Sequence, residues 1–538
     1  MKRNFIFLVI ASLLCCGLAF SQFQAANKLR MAEAAITQLY IDTINEDKLV
    51  EDAIRGMLDN LDPHSSYSTP EETQELNEPL QGNFSGIGIT FNMVEDTLYV
   101  ISTVPGGPSE KVGVMAGDRI IAVNDTSIAG QKMKNSDIMK RLRGPKGTDV
   151  NVRVLRSPDS INFKIRRDEI PIYSVDASYM VDDQTGYIRL NKFASDTPQE
   201  VRKALTSLKK QGMKNLILDL TDNGGGYLQA AVEMLGEFLP PRSLAVYTEG
   251  LNSPRSDNYA YPHGSKPLFE DGRLVVMLNQ YSASASEITA GAIQDWDRGL
   301  VVGRRSFGKG LVQRPIPFPD GSMIRLTVAH YYTPTGRDIQ KPYSKGDRKA
   351  YNKDIEERFE SGELMHADSL KYNDSLKVQT LRLKRDIYGG GGIYPDSFVP
   401  LDTTEYTKYY RNLMAKGVFN RFAIHYVDAH RKDLLKQYKN DNAFVSNFSV
   451  DDTMLQEIRR MGEKEGVEYN EEEYQRSLPL IQMVVKGLIG RDVFDNATYF
   501  KVFNAHDPVF KEAVRLIGSD DYPLLLGPGP VIVSKNSK

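Results

Sequence analysis

Cysteine is almost absent from this chain: its 538 residues hold two, Cys15 and Cys16, side by side near the N-terminus. That excludes a disulfide framework, a cysteine nucleophile and thiolate metal sites from everything downstream. An excess of charge of one sign is missing too. Lysine and arginine number 67 against 70 acidic residues, a formal net charge of −3, so no global field draws the chain to nucleic acid. Long apolar runs are confined to the N-terminal leader, and no later stretch is long enough to cross a membrane. What remains is 41% hydrophobic, enough for a substantial core in roughly three or four domains.

The leader, residues 1–21, runs from basic MKRN through FIFLVIASLLCCGLAF to small residues at Ala19 and Ser21. This is the layout of a secretory signal peptide, and it predicts an exported protein, periplasmic or membrane-associated and facing the periplasm. Both cysteines lie inside it, so cleavage would leave a chain without thiols. An uncleaved anchor is the alternative, because the apolar stretch approaches the lower limit for a span. Neither cysteine follows a small residue of the kind a lipoprotein site uses.

The most informative stretch is 274–313, LVVMLNQYSASASEITAGAIQDWDRGLVVGRRSFGKGLVQ. Leu274–Leu278 reads as a buried strand. Ile288, Ala292 and Ile293 recur at helical spacing, so a helix begins among the three serines, where first-turn N–H groups point outward. A second apolar strand covers Leu300–Val302, and then comes Gly308-Lys309-Gly310. If 309–313 is extended, Lys309, Leu311 and Gln313 share one face. A serine with a lysine general base is a known variant of nucleophilic catalysis. The lysine, ordinarily of pKa ~10.4, must then be brought towards ~7–8 by desolvation. A tight turn and a surface Gly-Lys-Gly are the alternatives. Gly303–Lys309 also fits G-x-x-x-x-G-K, but Gly310 replaces the required Ser or Thr and prolines follow, so a nucleotide loop is excluded.

SASASE, the helix after it and FGKGLVQ together resemble the core of the C-terminal processing (tail-specific) serine peptidases, which use a Ser–Lys dyad. The resemblance covers most of 28–343, and 391–396. The family's serine-to-lysine spacing selects Ser284 over Ser282 and Ser286, with Lys309 as base and Gln313 holding the lysine. It implies backbone oxyanion donors at Gly225 and Ala285. Unaided, Gly224-Gly225-Gly226 is equally an anion cradle or a plain turn. A proline is usual in the family at Gly224, and an Arg-Asn pair at Thr221-Asp222, which leaves the choice among the three glycines open.

Elsewhere, 25–80 is expected to be helical, with Leu29, Ala32, Ile36, Leu39 and Tyr40, then Leu49, Ile54, Met57 and Leu58, on apolar faces. In the resembling family such helices assist dimerisation. His64 reads as a turn residue. Residues 83–168 alternate short β runs with turns, add a helical patch near Ser136–Leu142 and a strand at Val150–Leu155, and resemble a PDZ domain. Gly86-Ile87-Gly88-Ile89 takes the place of the loop that binds a terminal carboxylate, so the expected partner is a protein with a free, apolar C-terminus. Residues 170–343 with 389–400 return to an α/β pattern: a strand at Gly186–Leu190, a helix at Thr197–Gln211, and a strand, glycine turn and helix over 216–239. His330, in the alternating LTVAHYY, is the rival base of a Ser–His site. A charged insertion spans 344–388, and 401–538 reads as an added α-helical domain.

The expectation is a multidomain α/β protein: N-terminal helices, a PDZ domain, an α/β peptidase core and a C-terminal helical extension. It is read as a serine endopeptidase that recognises C-terminal tails, without metal or cofactor. A homodimer and a regulatory partner remain open. The competing reading is a non-catalytic PDZ scaffold or chaperone.

Overall fold

A computed structural model describes residues 24–156 and 158–527. The leader 1–21, both cysteines and the residues after 527 lie outside the described residues. The described chain forms two compact units.

Among the described residues, the smaller unit gathers 24–73 with 313–327 and 343–353. A helix covers 24–39 and a second Glu46–Asp59, the latter capped by Asn45 Oδ1 accepting the Lys48 N–H. The break expected after them contains a short strand, Ser66–Ser68, paired antiparallel with Met323–Arg325. His64 Nε2 lies 2.8 Å from the Tyr351 hydroxyl, and Arg348 donates to Ser65 O at 2.8 Å. Leu29, Ile36, Leu39 and Tyr40, expected to pack, are exposed.

The larger unit is built on a six-stranded sheet in the order 175–180, 185–190, 215–219, 274–278, 300–303, 397–398, all parallel except the first. The strands alternate faces as the two-residue period requires. Leu216, Leu218, Leu274, Val276 and Leu278 face one core; Ile217, Val275, Met277 and Val302 face another. Connections running one way across a parallel sheet are right-handed and put their helices on one side. Thr197–Lys210, Leu228–Leu235 and Ala285–Asp295 accordingly fill the first core. The second face is covered from far away in sequence, by helix Pro508–Gly518 through Val509, Phe510, Ala513, Leu516 and Ile517.

Helices between 408 and 504 make a separate core around Leu413, Phe419, Phe444 and Ile489. The helical segment 401–538 therefore does two jobs: its earlier helices pack on themselves, and 508–525 completes the sheet. Residues 83–166 form a β unit with helices Pro108–Val112 and Asn135–Leu142. Its entry and exit strands, Asn83–Gly86 and Asp168–Pro171, pair with each other. Buried ion pairs anchor the charged insertion: Arg305 to Glu363 at 2.8 Å, and Arg385 to Asp297 at 2.8 Å and Asp396 at 2.6 Å. Among the described residues no helix is long and apolar enough to cross a membrane.

Candidate active site

Strand Leu274–Leu278 ends in a turn, and helix Ala285–Asp295 starts with Ser284 at its N-cap. Ser284 holds φ 57° and ψ −113°, a conformation costing a residue with a Cβ about 1–3 kcal/mol. Neighbouring hydrogen bonds impose it. The buried Ser282 donates its hydroxyl to Leu220 O at 2.8 Å, and the buried Ser286 to Asn223 O at 2.9 Å. Two serines of the run thus stitch this turn to the loop after strand Asn215–Asp219. Ser284, between them, is partly exposed.

Glu287 is fully buried one turn into the helix. Its Oε2 accepts the N–H groups of Ser284 at 2.8 Å and Lys309 at 2.9 Å. Its Oε1 accepts the Gly308 N–H at 2.7 Å and the Ser306 hydroxyl at 2.5 Å. Burial pushes this carboxyl above the ordinary range, against the pull of the four donors. The Tyr331 hydroxyl makes a second tie, against Ser284 O at 3.1 Å and Lys309 O. Neither residue was singled out from the sequence. Ser284-x-x-Glu287 is a capping-box spacing and was a usable signal; Tyr331 had none.

The loop 304–310 carries Lys309, which is partly buried. Gly308 has φ 87°, and a Cβ there would come within 3.0 Å of Gly391 C and Lys341 Cβ, so only glycine fits this close approach. The extended run begins at Leu311, not at Lys309. The shared face expected for 309–313 is therefore limited to Leu311 and Gln313. Lys341, also buried, lies 3.1 Å from Asp354 and 4.0 Å from the centre of the Phe307 ring. Burial lowers its pKa and Asp354 opposes the shift.

The glycine turn faces the serine. A Cβ on Gly225 would stand 2.7 Å from Ser284 Cβ and 2.9 Å from Ala285 N, and φ is 98°. The Gly225 N–H donates within the turn to Asn223 Oδ1 at 2.9 Å. Ala285 opens the helix, so its N–H is among those a helix cannot satisfy itself. At Thr221-Asp222, where the resembling family has Arg-Asn, Arg189 reaches in from the next strand. It donates to Asp219 Oδ2 at 2.6 Å and to Thr221 Oγ1 at 2.7 Å.

Gln313 belongs to the smaller unit, where its Nε2 lies 3.5 Å from Thr327 Oγ1, which donates to Asp62 at 2.8 Å. His330 Nδ1 lies 3.1 Å from Asp338 Oδ2. In strand Met323–Tyr332 it follows the opposite face from Tyr331, whose hydroxyl marks the serine side. In the β unit, Gly86 ends one strand, Ile87 and Gly88 form the loop, and Ile89 begins the next. Ile87 is buried in that unit's core, and its carbonyl accepts the Ser109 N–H at 3.0 Å and hydroxyl at 2.7 Å. Among the described residues no group of three or more His, Cys, Asp or Glu could hold a metal.

Comparison with known proteins gives the family of these stretches. Residues 184–349 match peptidase family S41, and 85–166 match the PDZ domain. Residues 18–73 match the N-terminal domain of the activating protease CtpB, and 409–495 a family of unknown function. The chain is 36% identical over 307 residues to a "Carboxy-terminal-processing protease" of Bartonella bacilliformis, covering 56% of this chain and 69% of that one. It is 34% identical over 333 residues to a "Probable CtpA-like serine protease" of Staphylococcus epidermidis, covering 62% and 66%. Among solved structures, the photosystem II D1 C-terminal processing protease is 31% identical, with 58% of this chain and 89% of that one covered and a TM-score of 0.32. The chain belongs to peptidase family S41, the carboxy-terminal-processing serine peptidases, and carries a PDZ domain.

Proposed function

We propose that this chain is an exported endopeptidase that recognises proteins by their free, apolar C-termini and cleaves them with a Ser284–Lys309 dyad. The observation that carries this reading is Glu287: one carboxylate oxygen accepts the N–H groups of both Ser284 and Lys309, keeping the two loops in register. The consumption of the Ser282 and Ser286 hydroxyls supports Ser284 as nucleophile.

Neutral Lys309 takes the Ser284 proton as Oγ attacks the scissile carbonyl carbon. The tetrahedral oxyanion is met by the Ala285 amide and by the glycine turn. Gly225 serves there by exchanging Asn223 Oδ1 for the oxyanion. The lysine ammonium then gives its proton to the departing amine, leaving an acyl-serine that water hydrolyses. Each oxyanion donor contributes about 3 kcal/mol. The resemblance assigns Gln313 to holding the lysine, and within the smaller unit Gln313 is itself steadied through Thr327 and Asp62. The substrate's terminal carboxylate is held at the Gly86–Ile89 loop, while the tail adds as a strand. Export rests on the leader 1–21.

The test compares residues 22–538 with Ser284→Ala, Lys309→Ala and His330→Ala variants on an unfolded protein ending in apolar or in charged residues. The expected result is cleavage by wild type and His330→Ala alone, faster for the apolar tail. Activity surviving Lys309→Ala would refute the dyad. Tail binding without cleavage by any form would favour the scaffold.

A further inference from the structure

A cleft of about 430 Å³ opens where the catalytic loops leave the sheet. One wall is Thr221, Asp222 and Asn279–Tyr281, the approaches to the glycine turn and to Ser284, together with Arg304. The other wall is the C-terminal helical region, with Leu480, Met483 and Phe503 giving it an apolar lining. Its volume is that of a ligand pocket, and it sits at the carboxyl ends of parallel strands, where open α/β sheets bind ligands.

Two features indicate what it takes. Arg304 is only 8% exposed, yet its guanidinium meets neutral acceptors, Gln280 Oε1 at 2.9 Å and Val399 O at 3.2 Å. Asp507, on the same cleft, caps helix Pro508–Gly518 through the Val509 N–H at 3.0 Å and forms no ion pair with Arg304. A buried cation and a carboxylate that share a cleft without pairing leave a donor and an acceptor for a guest. A peptide group satisfies both, its carbonyl towards Arg304 and its N–H towards Asp507. The remaining lining charges are Asp222, Asp402 and Glu405 against Lys511, so acidic groups outnumber basic ones. That disfavours a carboxylate-bearing guest and favours a neutral or basic one.

We infer that this cleft is a second peptide-binding site, taking an internal, apolar and basic stretch of substrate chain beside the catalytic loops. The helical region between 408 and 525 thereby acts as a specificity element. This rests on the peptidase reading for its purpose, but not for its test. The wall is wired to the reaction centre: Asn279 Oδ1 accepts the Asp222 N–H at 3.1 Å, and Asn223 O accepts the Ala283 N–H at 3.0 Å.

The experiment uses the full mature chain carrying Ser284→Ala and two fluorescent peptides, one of Leu and Lys and one of Leu and Glu. Both are amidated at the C-terminus, so that neither offers the PDZ domain a carboxylate. Anisotropy should show tighter binding of the Lys peptide. Glu405→Lys should weaken that binding about 3- to 10-fold and Lys511→Glu strengthen it, since the first reverses a partly exposed charge and the second an exposed one. Neither substitution touches the catalytic loops. Equal binding of the two peptides, or indifference to both substitutions, overturns the proposal. Wild-type cleavage of an unfolded protein is measured in parallel. Cleavage without charge-selective binding sinks the cleft alone, whereas selective binding without cleavage sustains the cleft and sinks the peptidase reading.

Discussion

Glu287 accepts four hydrogen bonds from two loops that the proposed Ser284–Lys309 dyad needs in register, and both its oxygens are filled. A glutamine there has one acceptor oxygen instead of two and turns an NH2 group towards existing donors. Leaving buried N–H groups unpaired costs about 1–3 kcal/mol each. We expect Glu287→Gln to lower the melting temperature. A displacement of about 1 Å at the reacting atoms can cost ~100-fold in rate, so kcat should fall by that order with KM little changed. Steady-state kinetics on a protein substrate check this. A fall in KM affinity with kcat intact would mean that Glu287 serves binding rather than alignment.

At the scale of elements, the Ser66–Ser68 strand and its partner hairpin hang on Asp62. Burial alone would raise that carboxyl, but hydrogen bonds from the Ser65 hydroxyl, the His64 N–H and Thr327 outweigh it and hold it below the usual range. A carboxyl with a depressed folded pKa stabilises above its unfolded value of about 4 and loses that contribution as pH falls through the folded value. The smaller unit should therefore loosen in acid, below about pH 4. Asp62→Asn should abolish this acid limb and cost about 1.5–3 kcal/mol at neutral pH, the worth of hydrogen bonds to a charged group. Urea midpoints of both forms between pH 3 and 7 decide it. An unchanged acid limb in the variant would place the sensitivity elsewhere.

Across the larger unit, the PDZ domain meets the C-terminal helices through two kinds of contact. Arg119 and Asp428 pair at 2.8 Å with side chains 28% and 34% exposed, and such a pair is worth about 0–1 kcal/mol. Beside it, Ile424 is buried with Val94 and Ile101. Truncating a buried isoleucine costs about 2–5 kcal/mol, so the apolar contact should dominate. Ile424→Ala is expected to speed proteolysis of the 168–176 connection and hydrogen exchange in 97–103. Arg119→Ala should do so far less. The reverse ranking would make the ion pair the fastening.

Much of this molecule was legible in its residues. The strand at Leu274–Leu278 and the helix start among the serines followed from an apolar run meeting a 3.6-residue period, because local backbone preference and side-chain alternation are written in neighbouring positions. So was the PDZ pattern, with its turns at regular spacing. The cover of the sheet's second face was not legible: periodicity in 508–518 shows that one side is apolar, not which surface it meets. Nor was the convergence of Tyr331 and Glu287 on the serine and lysine loops, since a hydrogen bond between distant residues leaves no local trace. The sequence by itself determined the elements, the family and the residue types fit for acyl transfer. Only the tertiary structure decided which serines were spent on scaffolding, which amide of the glycine turn was engaged, and which charges were left facing an open cleft. Those depend on the packing of segments far apart in the chain.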